Sequence, residues 1–180
     1  MKNLKYISIL LIILSFGSCN TSDEMSLQEY YVTSEKNSNY LMVDIPMSTV
    51  SLADNASKKA EVAYNSINKV NLLAFKVDDT NQADFEIEKQ KVAKVLKNPK
   101  FTELMRINQS GVKIVAKYLG TEKAMDEVII YVYDKTRGFA LARVLGNDMK
   151  PENMMELLDN FKGMNENDNT IKQLKGFFGS

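Results

Sequence analysis

The chain has no histidine, no tryptophan and a single cysteine among its 180 residues. Without histidine it cannot build a histidine-containing catalytic triad, a histidine metal ligand or a histidine proton shuttle. With one cysteine it cannot form an internal disulfide, a CxxC redox pair or a cysteine-rich zinc site. Basic and acidic residues are equal in number, 23 of each, so no overall positive charge draws the chain to nucleic acid, and we expect no nucleic-acid partner.

Motifs for catalysis and cofactor binding are also scarce. The sequence has no GxGxxG, P-loop or G-x-S-x-G motif, and we expect no cofactor. Ser66 to Lys69 and Ser110 to Lys113 fit S-x-x-K, but the companion motifs of that acyl-transfer site are missing. An acidic cluster around Asp78 resembles a calcium loop only in part, because Asp84 stands where that loop needs glycine. We therefore predict no catalytic residue and no metal ligand, and expect a protein that is not an enzyme.

The first 18 residues are typical of a secretory signal peptide. Two lysines precede an apolar stretch from Tyr6 to Phe16, and the small residues Gly17 and Ser18 follow it. The stretch is too short for a transmembrane helix, which needs about 20 apolar residues. Residues 1–18 are therefore predicted to be a signal peptide and not a membrane span.

The only cysteine lies directly after these small residues. The segment Phe16-Gly17-Ser18-Cys19 resembles the bacterial lipobox, in which an apolar residue and two small residues precede a lipidated cysteine. The resemblance implies a diacylglyceryl group on Cys19 and cleavage between Ser18 and Cys19. A buried structural cysteine, or an ordinary signal peptide with an unrelated cysteine, is the alternative. We predict a lipoprotein of the cell envelope, held at the outer membrane by its lipid anchor.

Residues 19–39 are predicted to be the lipidated cysteine and a polar tether. Within them, Ser22, Asp23 and Glu24 resemble the acidic signal that directs some Bacteroidota lipoproteins to the outer surface of the outer membrane. An ordinary solvated linker would have a similar composition. The choice between a periplasmic and a surface-exposed protein therefore stays open.

Residues 40–163 are predicted to form one α+β domain. The order is helix-strand-helix, then a four-strand meander and a C-terminal helix, with a mainly antiparallel sheet of about five strands and the helices on one face. The predicted strands are 41–45, 70–77, 102–108, 112–119, 127–133 and 139–145, and the predicted helices are 52–68, 83–97 and 151–163. Residues 164–180 are polar and then amphipathic, a tail that docks on its own domain or, less favoured, on another protein.

Several segments resemble a known family. They are the lipobox, the strand Val70–Val77, Phe101–Ile107 before a glycine turn, Glu127–Tyr133, and Phe139–Leu145 followed by Gly146 and the last helix. Together, over about residues 40–162, they resemble Bacteroidota lipoproteins grouped as domain of unknown function 4252. The resemblance implies an envelope-attached α+β domain without an established activity, and it adds no active residue.

Four aromatic residues of the meander form the candidate binding face: Tyr118, Tyr131, Tyr133 and Phe139. Tyr131 and Tyr133 are two residues apart on a predicted strand and so point the same way. The alternative is that this face lies under a helix or under the tail. We predict a non-enzymatic module that binds an unknown envelope protein or peptide. The alternatives are an envelope hydrolase using Asp/Glu or Ser/Lys, and a structural or assembly subunit.

Overall fold

The computed structural model describes residues 25–179, which contain five α-helices and eight strands. The helices are α1 (Leu27–Ser34), α2 (Lys58–Ser66), α3 (Gln82–Val95), α4 (Pro151–Asp159) and α5 (Asn169–Gly179). The strands are β1 (Tyr40–Ile45), β2 (Val50–Leu52), β3 (Ile67–Lys76), β4 (Thr102–Gln109), β5 (Val112–Thr121), β6 (Ala124–Asp134), β7 (Gly138–Met149) and β8 (Phe161–Met164). A 3₁₀ turn, Met47–Thr49, precedes β2.

Six of the strands form one antiparallel sheet in the order β1-β3-β7-β6-β5-β4, which confirms the predicted fold class. The strands β4 to β7 form a meander, because the turns between them are too short to join any but antiparallel neighbours. Gly138 starts β7 at a φ of 117°, and a Cβ there would lie 2.0 Å from the carbonyl oxygen of Phe75. A glycine is therefore required where β7 begins beside β3. The strands β2 and β8 pair separately.

One face of the sheet carries an aromatic core beneath α1 and α3. Phe75 and Phe139 stack with ring centroids 5.6 Å apart, and Phe85 of α3 lies 6.2 Å from Phe139. All three side chains are at most 2% exposed. Alternate residues of a strand point to opposite faces, so Leu73, next but one before Phe75, joins the same core.

The opposite face has its own cluster, and the expectation that all helices lie on one face is wrong. Its buried members are Tyr118, Met125, Val128, Val144 and Met149. Met154 of α4 packs against them, and α2 lies against α4. The sheet is therefore covered by helices on both sides, because the strands carry apolar residues on both of their faces.

The structure corrects the predicted tether, because residues 27–34 form a helix that packs on the sheet. Ser26 caps it: its hydroxyl accepts from the Glu29 N–H at 3.1 Å, and the Glu29 carboxylate accepts from the Ser26 N–H at 2.8 Å. Leu27, Tyr30, Tyr31 and Ser34 are buried. Their spacing of three and four residues is that of one helix face, and burying this face outweighs the polar composition of the segment.

The C-terminal part also differs from the prediction. The helix α4 ends at Asp159, and Phe161 begins strand β8, where its side chain is 44% exposed instead of facing inward. Gly163 pairs with Ser51 in the two-stranded sheet and does not cap a helix. In the tail, Ile171 of α5 is 5% exposed and α5 lies against β1. The described domain thus continues past residue 163.

The predicted signal peptide, Cys19, and the export-signal residues Ser22, Asp23 and Glu24 lie outside the described residues. Between residues 25 and 179, no helix is both long enough and apolar enough to cross a membrane.

Candidate functional site

A concentration of positive charge marks the C-terminal end of α3 and the adjoining strands β4 and β5. We call it the basic surface, and its members are Lys94, Lys97, Lys100, Arg106, Lys113 and Lys117. Glu103 is the only acidic residue between Val92 and Lys117. In a chain with equal numbers of acidic and basic residues, this local excess is the main charge asymmetry of the domain.

The fold brings four of these six residues together from separate elements. Lys97, Arg106, Lys113 and Lys117 line one cavity of about 170 Å³, with Tyr131 among the remaining lining residues. In the sheet, Arg106 lies opposite Val115, two residues from both Lys113 and Lys117. Side chains two apart on a strand share a face, so these three cations point to the side of the sheet that α3 covers.

Glu103 balances one of these charges. It accepts from the Arg106 Nε at 3.0 Å, and this contact lowers the pKa of Glu103, with the positive charges of Lys117 and Lys113 adding to the effect. Lys117 donates from its Nζ to the carbonyl oxygen of Leu96 at 2.6 Å, where the end of α3 carries partial negative charge.

The remaining four cations, Lys94, Lys97, Lys100 and Lys113, have no carboxylate within ion-pair distance among residues 25–179. The Lys100 Nζ lies 5.0 Å from the centre of the Phe101 ring. Lys97 and Lys113 line the same cavity and can therefore contact one anionic group together.

The strand β4 forms the outer edge of the sheet beside the basic surface. It pairs only with β5, and most of its side chains are exposed, including Ile107 at 39%. The pairing slips between Glu103 and Met105, which forms a bulge. Charged residues and a bulge are common protections of an edge strand against pairing with another chain. These features favour contact through side chains over contact through the strand's backbone.

The predicted aromatic binding face is wrong as a single exposed surface. Tyr131 and Phe139 are 6% and 2% exposed in the core beneath α3, and Tyr133 stacks on Phe85 with centroids 5.8 Å apart. Tyr118 belongs to the cluster on the opposite face of the sheet. The physical reason is that α3 covers three of the four residues, which is the alternative of a face beneath a helix. Tyr118 points to the opposite face of the sheet, because side chains alternate between the two faces along each strand.

A buried polar network joins α1, α3 and β1. The Tyr40 hydroxyl donates to the Glu88 carboxylate at 2.7 Å, the Tyr30 hydroxyl donates to the same oxygen at 3.1 Å, and Lys91 donates to the other at 2.7 Å. Burial raises the pKa of both tyrosines. Partial burial acts to raise the pKa of Glu88, but the bonds from Lys91 and the two hydroxyls outweigh it, and the pKa lies below its usual value. The network fixes α1 to the domain.

A second polar connection holds the beginning of α1. Arg143 donates to both oxygens of Glu127, at 2.8 and 3.0 Å, and to the side-chain oxygen of Gln28 at 2.6 Å. The Tyr31 hydroxyl donates to the carbonyl oxygen of Leu141 at 2.6 Å. The Glu127 side chain is 8% exposed, so its charge depends on Arg143 for compensation. The hydrogen bonds of these groups therefore hold α1 in position on the sheet.

Ser66 and Lys69 of the first S-x-x-K motif, and Asp78 of the acidic cluster, have structural contacts. Ser66 donates to the Ala63 carbonyl at 2.7 Å, whereas Lys69 pairs with Asp44 at 3.0 Å. Asp78 accepts from the backbone and side chain of Thr80, which lowers its pKa. Within residues 25–179, no group of three or more Cys, Asp or Glu side chains is arranged to hold a metal ion.

A largely apolar cavity of about 250 Å³ lies at the turn between β6 and β7. Val112, Val132 and Ala140 contribute apolar lining, and Asp134 and Arg137 lie at its polar side. The Asp134 carboxylate accepts from the N–H groups of Thr136 and Arg137, so it shapes the turn. The cavity contains no nucleophile that a neighbouring base activates.

The sequence-based predictions did not include α1 or the basic surface, although the sequence contains a pattern that indicates each of them. The segment Ser26 to Glu29 fits the S-x-x-E capping box, and the buried residues that follow have helical spacing. The basic surface is hidden in a total charge of zero, but a count over residues 92–117 gives six basic residues against one acidic residue.

Comparisons with known proteins give one finding. No curated protein and no solved structure matches the chain. A family model described as a domain of unknown function (DUF4252) matches residues 30–176. This range includes most of α1, the whole six-stranded sheet, β8 and most of α5. The match covers well over half of the chain, and the protein therefore belongs to the DUF4252 family.

Proposed function

We propose that the protein is a cell-envelope lipoprotein, anchored through Cys19, whose domain is a non-enzymatic binding module for an anionic partner. The observation that carries the binding role is the basic surface, where four lysines face solvent or the cavity without a carboxylate partner among the described residues. Unpaired cations gathered in one place attract and retain anions.

The contacts of the buried ionisable groups support a binding role over a catalytic one. Glu88 is bound by two tyrosines and a lysine, and Glu127 by Arg143. Each carboxylate thus holds α1 or the sheet in place, whereas a hydrolase needs carboxylates that converge on a substrate cleft.

The anchor is tested with Cys19→Ala in the full chain, expressed in a bacterial host that lipidates its own lipoproteins. We expect loss of metabolic palmitate labelling, because the thiol is the site of acylation in lipobox proteins. Ser22→Ala is the matched control and keeps the label. Palmitate incorporation that persists in Cys19→Ala would contradict the anchor.

A further inference from the structure

We propose that the partner of the basic surface is the phosphate-bearing headgroup layer of the membrane to which the protein is anchored, so that the domain lies with this surface against the bilayer. This inference rests on the proposed anchor at Cys19. Three features support it: the length of chain before the domain, the place where that chain enters the fold, and the distribution of charge.

The chain between the anchor and the domain is short. The cap of α1 is Ser26, seven residues after Cys19. Seven residues span at most about 25 Å when fully extended. The buried residues of α1 therefore keep the domain within about that distance of the headgroups, instead of the much longer reach of a 20-residue tether.

The chain enters the fold close to the basic surface. Gln28, at the beginning of α1, binds Arg143 of β7. Across the sheet, Arg143 lies opposite Ile129 of β6, and Ile129 in turn lies opposite Lys117 of β5. Cross-strand partners share a face of the sheet, and neighbouring strands are about 4.8 Å apart. Lys117 is thus about 10 Å from the residue that holds the beginning of α1. Because Lys117 also binds Leu96, the C-terminal end of α3 lies over this same row.

The charge distribution fits one orientation. Residues 89–117 contain eight basic residues and one acidic residue, whereas the rest of residues 25–179 contains 13 basic and 20 acidic residues. An anionic surface attracts the first set and repels the second. Attraction of this kind acts over about one Debye length, roughly 8 Å at physiological salt, which a chain of this length allows the basic surface to reach.

A lipid surface fits these features better than an acidic peptide does. The unpaired lysines come from the end of α3, from the loop after it and from strand β5, and Lys94, Lys97 and Lys100 are exposed. Lysine ammonium groups bind phosphates as point charges without a fixed geometry, which suits a fluid layer of headgroups.

The test uses the mature lipidated protein reconstituted into vesicles, with the native thiol of Cys19 blocked by its lipid. A fluorophore is placed at Asn108→Cys, an exposed position of β4 that lies opposite Lys113, or at Asn55→Cys, an exposed position in the turn before α2. Vesicles contain phosphatidylcholine alone or with about 30% phosphatidylglycerol, and a quencher is attached to headgroups. Co-flotation of protein and vesicles reports the anchor separately from the orientation.

We expect quenching at position 108 to rise at least about twofold from neutral to anionic vesicles, and to fall again in about 1 M NaCl. The label at position 55 stays unquenched in both. In the variant Lys94→Gln/Lys97→Gln/Lys113→Gln the rise disappears, because each lysine near an anionic surface favours docking by about fivefold and three by about 100-fold. The control Lys59→Gln/Lys135→Gln/Lys150→Gln removes three exposed lysines elsewhere and keeps the rise.

Each outcome separates the two proposals. Protein that fails to float with vesicles overturns the anchor. Protein that floats, but whose label at position 108 is quenched equally in neutral and anionic vesicles, overturns the headgroup contact while leaving the anchor intact. Quenching that persists in the variant lacking Lys94, Lys97 and Lys113 also overturns it, since another surface would then face the bilayer.

Discussion

The two ends of α3 carry similar residue types and use them in opposite ways. Between Phe85 and Val92, Glu86 pairs with Lys89, and Glu88 is bound by Lys91 and two tyrosines. Beyond its last turn, Lys97 and Lys100 have no carboxylate partner among the described residues. The carboxylates of the first part are held by partners, whereas within residues 25–179 these lysines beyond the helix are not.

In the proposed function, one helix therefore stabilises the fold and also carries part of a binding surface. Phe85 and Val92 are fully buried and set the position of the helix on the sheet. The four charged residues between Phe85 and Val92 form two ion pairs, because an uncompensated charge near a buried core is costly. Exposed charges beyond the helix do not need a partner, because water solvates them, and an excess of unpaired lysines there lowers the folding stability little.

The largest effect is expected for Phe85→Ala. The ring stacks on Tyr133 and Phe139 and is 0% exposed, so its removal leaves a cavity and should cost about 3–5 kcal/mol of unfolding free energy in denaturant titrations. Ile87→Ala on the same helix is the control, because Ile87 is 52% exposed. Equal losses for the two variants would contradict the account of how α3 is held.

A smaller effect is expected for Glu88→Gln, which should lower the unfolding free energy by about 1–3 kcal/mol. The neutral amide of glutamine cannot accept hydrogen bonds from two hydroxyls and a lysine together. Glu86→Gln, at a side chain 45% exposed, should cost no more than about 0.5 kcal/mol. A Glu88 variant as stable as the Glu86 variant would show that the network does not hold α1.

The pH dependence of Glu88 follows from its lowered pKa. A carboxyl whose pKa is lower in the folded state stabilises the protein above its unfolded pKa, about 4.3, and loses that contribution as the pH falls toward the folded value. The stability difference between wild type and Glu88→Gln should therefore shrink between about pH 6 and pH 3 in thermal or urea unfolding. A difference that grows with acid would reverse the assigned direction.

The smallest effect on stability is expected for Lys94→Gln/Lys97→Gln/Lys113→Gln. These side chains have no ion-pair partner to lose among residues 25–179, so the unfolding free energy should change by no more than about 0.5 kcal/mol. A loss above about 2 kcal/mol would mean that the basic surface is a structural element, and the comparison between the two ends of α3 would fail.

The meander could be predicted from sequence because its strands are short runs rich in β-branched and aromatic residues between clear turn residues. The helix α1 could not be recognised from average polarity, since only four of its eight residues are buried and two of these are tyrosines. The basic surface depends on strand register: Lys117 lies opposite Glu103 and Arg106 opposite Val115. Register is set by tertiary pairing, so the sequence pattern alone did not place these side chains beside the end of α3.

The most direct test of the central claim is hydrogen–deuterium exchange of the lipidated protein in neutral and anionic vesicles. The account predicts slower exchange in anionic vesicles for peptides within residues 93–118, with no change for peptides within residues 82–90 at the other end of α3. Unchanged exchange throughout, or protection confined to α4 and α5, would contradict the claim that the basic surface faces the membrane.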